Sequence, residues 1–310
     1  MAARRLARIA RRLEFPLRAP SVPASVAPPE KPPRSGEHYQ TDWARRWPAR
    51  LVRAMVVDNV MRPVVSVLAS PTVRGADGLE DVDPPVIFAA NHHSHLDTPL
   101  LLVTIPPRFR HRMFVGAAAD YFFTDRLRSD LSALVMGAIP IERTRVTRRS
   151  AEVAARLVDD GWSMLIFPEG GRSPDGWGQE FRGGAAYLSL RCSVPVVPVH
   201  IDGTDRILPK GRTLPRPGAV TVTFGSPLRP QEGEDARRFA RRIEAAVAAL
   251  ADELASDWFS ARLRAARGDT PPLRGPEGVS SWRRAWALGE RRGRGPGERV
   301  SERPRWPRVS

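Results

Sequence analysis

Short apolar runs alternate with amphipathic segments between residues 86 and 258, and this alternation restricts the chain to few folds. The runs have the length and composition of buried β-strands. They are VIFAA at 86–90, MFVGAAA at 113–119, AIPIE at 138–142, SMLIFPEGG at 163–171, VPVVPVHI at 194–201 and AVTVTFG at 219–225. Strands that alternate with helices are typical of an α/β sheet in a single domain, which is the fold class that we predict.

Two segments among these strands have helical periodicity. Residues 150–161 have one apolar face, with Ser150 as the expected N-cap and Gly161 as the expected stop. Residues 234–258 have a longer apolar face and predict a long helix.

A further helical segment precedes the first strand. We expect it to begin at Thr41 or Asp42 and to continue to Leu68. Trp43 and Trp47 lie one helical turn apart, beside several arginines. Tryptophan next to arginine suits a membrane interface, and it equally suits packing against the domain. We interpret this segment as membrane-associating.

The positive charge of the chain lies at its two ends. The net charge of the 310 residues is +15. Residues 1–50 hold 11 basic and 4 acidic groups, residues 261–310 hold 13 and 5, and residues 51–260 hold 25 of each. The middle is therefore neutral, and the basic ends are expected to attract polyanions, either anionic lipid or nucleic acid.

Composition also predicts the domain boundaries. Residues 1–40 are basic and proline-rich and are expected to be a disordered tail. Residues 41–260 form the predicted domain, including the membrane-associating helical segment. Residues 261–310 are rich in arginine, glycine and proline and are expected to be a second disordered tail.

Neither a signal peptide nor an apolar run of about 18 residues is evident, so we expect the protein to lie on a membrane rather than to span it. The single cysteine, Cys192, allows no disulfide within the chain, which fits a reducing compartment. Its place beside a strand favours a small core residue over a nucleophile.

The segment NHHSHLD at 91–97 carries the main functional signal, and three interpretations apply to it. It begins like a metallo-β-lactamase motif, but Thr98 stands where that motif continues with histidine, and further zinc ligands are not clustered later in the chain. It is alternatively a polar loop after a strand. The third interpretation is a catalytic pair, in which Asp97 orients the imidazole of His92 as a general base.

Three further motifs follow this segment in order: GAIPIER, FPEGGRS and VPVVPVHIDGT. Together with NHxSxxD, this series resembles the glycerolipid acyltransferase family, whose best-known members are the 1-acylglycerol-3-phosphate acyltransferases. The resemblance covers roughly residues 50–255. It implies a single mixed-sheet acyltransferase domain flanked by helices.

The resemblance also implies the reaction. His92 is then the base that deprotonates a hydroxyl of a lysophospholipid, most simply 1-acylglycerol-3-phosphate, and Asp97 orients it. The hydroxyl attacks the thioester of acyl-CoA or acyl carrier protein, and phosphatidate results. These donors are co-substrates, and no cofactor or metal is expected. His93 and His95 occupy variable positions of the motif and are expected to be bystanders.

The second and third motifs are implied to bind the phosphate and glycerol of the acceptor. Arginine suits phosphate because its planar guanidinium binds two oxygens at once. The implied binding residues are Arg143, Glu169, Gly170, Gly171, Arg172 and Ser173. Two departures from the family pattern, Glu142 in place of aspartate and Gly171 in place of threonine, leave the acceptor open.

The expected partners are therefore a lysophospholipid, the acyl donor and an anionic membrane surface. We expect a peripheral location on the cytoplasmic face of the cell membrane. Two alternatives remain: acyl transfer to another lysolipid or a glycolipid, and a non-catalytic basic protein that binds membrane or nucleic acid. No nucleic acid partner is expected, since the neutral middle carries no recognisable nucleic-acid motif.

Overall fold

A computed structural model describes residues 36, 39–141, 148–173, 176–209 and 213–274. Most of the predicted N-terminal tail, the end of the predicted C-terminal tail, and both Glu142 and Arg143 lie outside these residues.

Seven strands in the described part of the chain form one sheet in the order β1-β7-β6-β2-β5-β3-β4. Their bounds are β1 Pro71–Arg74, β2 Ile87–Ala90, β3 Met113–Ala118, β4 Ala138–Ile141, β5 Ser163–Ile166, β6 Val196–Asp202 and β7 Val220–Phe224. β6 and β7 pair antiparallel, and every other pair is parallel. The sheet is therefore mixed, as predicted, and the sequence runs predicted six of its strands.

The helices connect and cover these strands. Their bounds are α1 Trp47–Val56, α2 Arg62–Ala69, α3 Asp97–Thr104, α4 Pro107–Arg110, α5 Ala119–Phe122, α6 Arg126–Met136, α7 Arg148–Asp159, α8 Gly184–Cys192, α9 Thr204–Ile207, α10 Ala236–Ala255 and α11 Trp258–Arg267. Short 3₁₀ turns occur at Asp42–Arg45 and Asp77–Leu79.

The sheet is buried on both faces, which explains why its central strands are apolar without alternation. One face packs on α2, α3 and α4, with Val65, Leu101 and Phe109 in its core. The other face packs on α7, α8 and α10, with Phe239 and Val247 in its core. The fold is thus a three-layer arrangement of helices, sheet and helices.

The helical segment before the first strand has nearly the predicted bounds but is less regular than predicted. A 3₁₀ turn is followed by α1, a π-helical turn at Val57–Met61, and α2. The π turn precedes Pro63, whose missing N–H would interrupt a regular helix at this point. Thr41 makes no side-chain cap to the first turn.

Two further boundaries differ from the prediction. Ser150 lies inside α7, which begins at Arg148, so its predicted capping role was wrong. Residues 261–267, which were predicted to belong to a disordered tail, are helical instead, because α11 continues to Arg267 and packs on α10. Leu273 also packs on the core, and its carbonyl accepts a hydrogen bond from the amide of Gly178 at 2.8 Å.

No helix in the described residues is both long enough and apolar enough to cross a bilayer.

Candidate active site

The predicted site segments lie at one edge of the sheet. β2, β3, β4, β5 and β6 run parallel, so their carboxyl ends share that edge. The segment 91–97 follows β2, and the segment 167–173 follows β5, the neighbour of β2. The carboxyl edge of parallel strands is the usual place for a binding site in such sheets.

His92 and Asp97 form a hydrogen-bonded pair. Nδ1 of His92 lies 2.8 Å from Oδ2 of Asp97. Asp97 is the first residue of α3 and is completely buried. The ring of His92 stacks on Phe167, with 4.1 Å between the ring centres and 19° between the planes. One side of the imidazole is therefore held by the carboxylate, and its face is held by an aromatic ring.

The environment keeps the Asp97 carboxylate ionised. Burial raises its pKa, but the hydrogen bond and charge of His92, the amide of Ser94 and the hydroxyl of Thr204 outweigh burial and lower the pKa below its usual value. Oδ2 also accepts the amide hydrogens of His93 and Ser94 at 2.7 and 2.8 Å. The start of α3 adds a favourable helix dipole.

An ionised Asp97 fixes the tautomer of His92. The carboxylate has no proton to give, so Nδ1 of the neutral imidazole carries the proton and donates it. Nε2 then has its lone pair available as a proton acceptor. This is the arrangement that a general base requires.

Asn91 and Ser94 hold the loop that carries this pair. The side chain of Asn91 donates to the carbonyl of Ile201 at 2.8 Å and accepts from the Ile201 amide at 2.7 Å. The hydroxyl of Ser94 donates to the carbonyl of Leu208 at 2.8 Å. Both side chains are buried, and both fasten the loop to β6 or the segment after it.

Glu169 connects the two predicted motifs. Its Oε1 accepts the backbone amide hydrogen of His92 at 2.9 Å, and its Oε2 accepts that of Gln179 at 3.0 Å. The amide of Ser173 donates to the carbonyl of His92 at 2.8 Å. The segment after β5 therefore forms hydrogen bonds with both the backbone N–H and the backbone C=O of His92.

His92 borders a cavity of about 570 Å³. Most of the lining is apolar and comes from the π turn, β3, α6 and β4. The apolar residues include Met61, Val115, Leu131, Val135, Met136 and Ile141. A cavity of this size and composition suits a hydrocarbon chain better than a polar metabolite.

The cavity lining also includes residues of the glycine turn and two arginines. They are Gly170, Gly171, Arg172 and Arg182. Gly170 has a φ of +70°, and a Cβ there would lie 2.9 Å from the guanidinium carbon of Arg182. Glycine at this turn thus permits both the backbone conformation and the close approach of the arginine. The cavity lining is thus mainly apolar, with two arginines among its residues.

The structure brings four of the predicted site residues to the cavity wall: His92, Gly170, Gly171 and Arg172. Asp97, Glu169 and Ser173 are buried behind it. The hydroxyl of Ser173 accepts the amide hydrogen of Gly176 at 2.8 Å, which closes a turn. The predicted roles of Glu169 and Ser173 in substrate binding stay predictions, as does the role of Arg143.

Sequence reasoning missed several residues. Asn91 had a signal, since an amide directly after a buried strand has backbone groups of the neighbouring strand within reach. Arg182 had a weaker signal, an arginine followed by the glycine pair that starts α8. No feature of the sequence indicated Tyr121, whose hydroxyl lies 2.9 Å from Nε2 of His95.

The other two histidines of the segment line two different cavities. His95 stacks on Tyr121 and lines the same cavity as His92. His93 instead lines a second cavity of about 380 Å³, together with His200 and Trp177. The three histidines do not converge on one point, and the described residues contain no cluster of three or more side chains suited to a metal ion.

Comparisons with known proteins agree with this geometry. The acyltransferase family model matches residues 70–202. A 1-acyl-sn-glycerol-3-phosphate acyltransferase of Chlamydomonas reinhardtii is 31% identical over 188 residues, which is 59% of this chain and 54% of that protein. A chloroplastic enzyme of the same description from Brassica napus is 32% identical over 166 residues, 50% of this chain and 44% of that protein.

The fold has a counterpart among solved structures. The crystal structure of the 1-acyl-sn-glycerophosphate acyltransferase PlsC from Thermotoga maritima matches with a TM-score of 0.52 and 24% identity. The match covers 69% of this chain and 83% of that chain. It supports the mixed α/β fold described above.

The match of residues 70–202 to the acyltransferase family model, together with these relatives, confirms the resemblance inferred from the four motifs over that stretch. The chain spans about half the length of the curated relatives that it matches, 54% and 44% for the two described above.

Proposed function

We propose that this protein transfers a fatty acyl group from a thioester donor to the free hydroxyl of a lysophospholipid, most simply 1-acylglycerol-3-phosphate. The observation that carries the proposal is that His92, paired with Asp97, lines a mainly apolar cavity whose lining also includes Arg172 and Arg182. An acyl chain, a proton acceptor and a site for an anion then meet at one place.

The first step forms the nucleophile. The acceptor hydroxyl gives its proton to Nε2 of His92 as its oxygen attacks the thioester carbonyl carbon. The imidazole becomes positively charged, and Asp97, 2.8 Å from Nδ1, stabilises that charge. No covalent bond to the protein forms.

The second step releases the products. The tetrahedral intermediate expels the thiolate of the donor, and the new ester remains on the acceptor. The proton on Nε2 passes to the thiolate, so the donor leaves as a free thiol and His92 returns to its neutral form. A buried Asp97 that stays ionised throughout is suited to this cycle, because its lowered pKa disfavours taking the proton itself.

The acceptor is proposed to bind through its phosphate. Arg172 and Arg182 line the cavity, as do Gly170 and Gly171. Guanidinium groups form bidentate hydrogen bonds with phosphate oxygens, and they stay charged over the whole physiological range. We include Arg143 in the same role on the basis of its motif. The relatives are named for acylation of 1-acyl-sn-glycerol-3-phosphate, which fits arginines in the cavity lining.

The donor is proposed to be acyl-CoA or acyl carrier protein, and the reaction is proposed to occur at the cytoplasmic face of a membrane. Both substrates carry chains that partition into lipid. The surface formed by α1, the π turn and α2 leaves several large apolar side chains exposed: Trp47, Leu51, Val52, Met55, Val60, Val64 and Val67. Such a surface suits contact with an apolar phase.

The proposal is tested with a panel of lysolipid acceptors and one labelled acyl-CoA, repeated with the same chain on acyl carrier protein. We expect labelled phosphatidate from 1-acylglycerol-3-phosphate, with less product from acceptors that lack a phosphate monoester. Product from a glycolipid or another lysolipid alone would assign the alternative acceptor. Absence of labelled product from every acceptor and both donors would contradict acyl transfer.

A further inference from the structure

The last described helix, α11, presents an apolar surface that the domain does not cover. Trp258 is 60% exposed, Phe259 69% and Leu263 40%. At 100° per residue the three side chains lie on one arc of the helix. Large aromatic side chains that are this exposed and adjacent to one another mark an interaction surface.

The inner face of α11 fixes the direction of this surface. Ala261 is buried against α10. The guanidinium of Arg264 holds both carboxylate oxygens of Asp252 at 2.7 Å. The side chain of Asp257 accepts the amide hydrogen of Ser260 at 2.9 Å and caps the start of the helix. The aromatic side chains are therefore held outward by a helix that is anchored on its other side.

The charge around the surface indicates what covers it. Arg262 lies over the ring of Trp258 at 5.7 Å, and Arg267 follows at the end of the helix. Both ends of the chain are basic: residues 1–35 carry 8 basic and 2 acidic groups, and residues 275–310 carry 9 and 4. A second copy of α11 has the same sign. Repulsion between like charges disfavours the binding of either chain end or of a second α11 to this surface. An anionic lipid surface has the opposite charge and is attracted to it.

We propose that α11 is a second membrane contact, in which Trp258, Phe259 and Leu263 enter the interface of an anionic bilayer and Arg262 and Arg267 bind its headgroups. Tryptophan and arginine are the side chains favoured at that depth. This contact rests on the proposed function in one respect, that the enzyme works on lipid at a membrane. It is separate in sequence from the surface of α1 and α2.

Vesicle binding of the full chain tests this contact. Co-sedimentation with vesicles of equal parts phosphatidylglycerol and phosphatidylcholine is measured for the wild type and for the triple variant Trp258→Ser, Phe259→Ser, Leu263→Ser. We expect the partition coefficient of the variant to fall roughly tenfold or more. Arg262→Gln with Arg267→Gln is expected to lower it by about fivefold for each charge at low salt.

A matched control removes three exposed side chains elsewhere: Val73→Ser, Tyr187→Ser and Leu214→Ser. It is expected to bind these vesicles like the wild type. All variants are expected to keep the thermal midpoint within a few degrees, because the substituted side chains are exposed. Quenching of tryptophan fluorescence by brominated acyl chains is expected to be weaker in Trp258→Phe than in the wild type.

Unchanged vesicle binding of the α11 triple variant, or equal quenching in Trp258→Phe, would overturn the proposal and leave a protein partner as the occupant. The outcome is independent of catalysis, which is measured on a short-chain soluble acceptor without vesicles. If the wild type turns over this soluble acceptor and the α11 triple variant still binds vesicles like the wild type, only the membrane contact is overturned. If the α11 triple variant loses vesicle binding but the wild type transfers no acyl group, only the proposed function is overturned.

Discussion

At the scale of single residues, the site depends on a carboxylate that has been removed from water and kept charged. Asp97 is fully buried, and its Oδ2 receives hydrogen bonds from His92, His93 and Ser94. Burial of an ion without such partners costs several kcal/mol, so the surrounding donors are a condition for the pair to exist.

Replacement of Asp97 by asparagine tests this role. The amide is nearly the same size but does not stabilise an imidazolium, and its NH₂ group favours the wrong tautomer of His92. We expect kcat to fall roughly 10³-fold with little change in KM. The control Asp81→Asn, at an exposed loop position, is expected to keep full activity. A kcat for Asp97→Asn within threefold of the wild type would contradict the role.

His200 predicts a pH dependence of stability. Burial, and to a smaller extent the charge of nearby His93, lower its pKa from 6.5 to about 3. The unfolded chain takes up a proton near pH 6.5, whereas the folded protein does so only near pH 3. Acidification between these values therefore favours unfolding by about 1.4 kcal/mol per pH unit from this group.

We expect His200→Gln to reduce the slope of the free energy of unfolding against pH between pH 6 and pH 4 by that amount. Urea unfolding at several pH values measures it. His111→Gln is the control, because His111 is exposed. An unchanged slope in His200→Gln would show that the buried imidazole is not the group that loses stability.

At the scale of elements, the central strands and the amphipathic helices α7 and α10 were predictable, whereas the edge strand β1 and the apolar helix α3 were not. The central strands are buried on both faces, so apolar runs alone indicated them. β1 was missed because three of its four residues are exposed at the edge of the sheet. The helix at Asp97–Thr104 was missed because Leu100 to Val103 are all buried and give no amphipathic period.

In the candidate site too, some residues could be predicted from the sequence and others could not. His92, Asp97 and the glycine turn could be predicted because their motif spacing is local in the sequence. Arg182 and Tyr121 reach the cavity through the tertiary fold, which local spacing does not encode. Glu169 was implied to bind the acceptor. The structure shows that its carboxylate accepts hydrogen bonds from the amides of His92 and Gln179, contacts that order the segment after β5.

Arg53 links two elements around the cavity. It is buried in α1, and its guanidinium donates to the carbonyls of Leu134 and Ala133 at 2.8 and 3.0 Å near the end of α6. Burial, followed by the charges of Arg45 and Arg50, lowers its pKa to about 10.

Arg53→Leu is expected to lower the free energy of unfolding by about 3 kcal/mol, because it leaves the carbonyls of Leu134 and Ala133 without these donors. Arg46→Leu, at an exposed position, is the control, and equal losses in both variants would contradict the assignment.

The apolar surface of α1 and α2 predicts a membrane-binding element. Trp47 is 72% exposed and Val67 73%, with Met55 between them. The triple variant Trp47→Ser, Met55→Ser, Val67→Ser is expected to bind anionic vesicles roughly tenfold or more weakly. Turnover on a short-chain soluble acceptor is expected to change little. Vesicle binding equal to that of the wild type would exclude this surface as a membrane contact.

At the scale of the whole molecule, function and charge are separated along the chain. The neutral middle supplies the sheet, the His92–Asp97 pair and the cavity, whereas the +15 net charge comes from the two ends. Attraction of basic segments to an anionic bilayer acts over about a Debye length, roughly 10 Å at 0.1 M salt. The ends thus suit recruitment to the surface where a lysolipid acceptor resides, and the central domain suits the chemistry.

The central claim is that His92 takes the proton of the acceptor hydroxyl. The direct measurement compares the wild type, His92→Ala and the exposed-site control His111→Ala, with labelled acyl donor and 1-acylglycerol-3-phosphate. The account predicts a kcat for His92→Ala that is 10²- to 10⁴-fold lower, an unchanged fold by circular dichroism, and full activity in the control. Acyl transfer by His92→Ala at the rate of the wild type would contradict it.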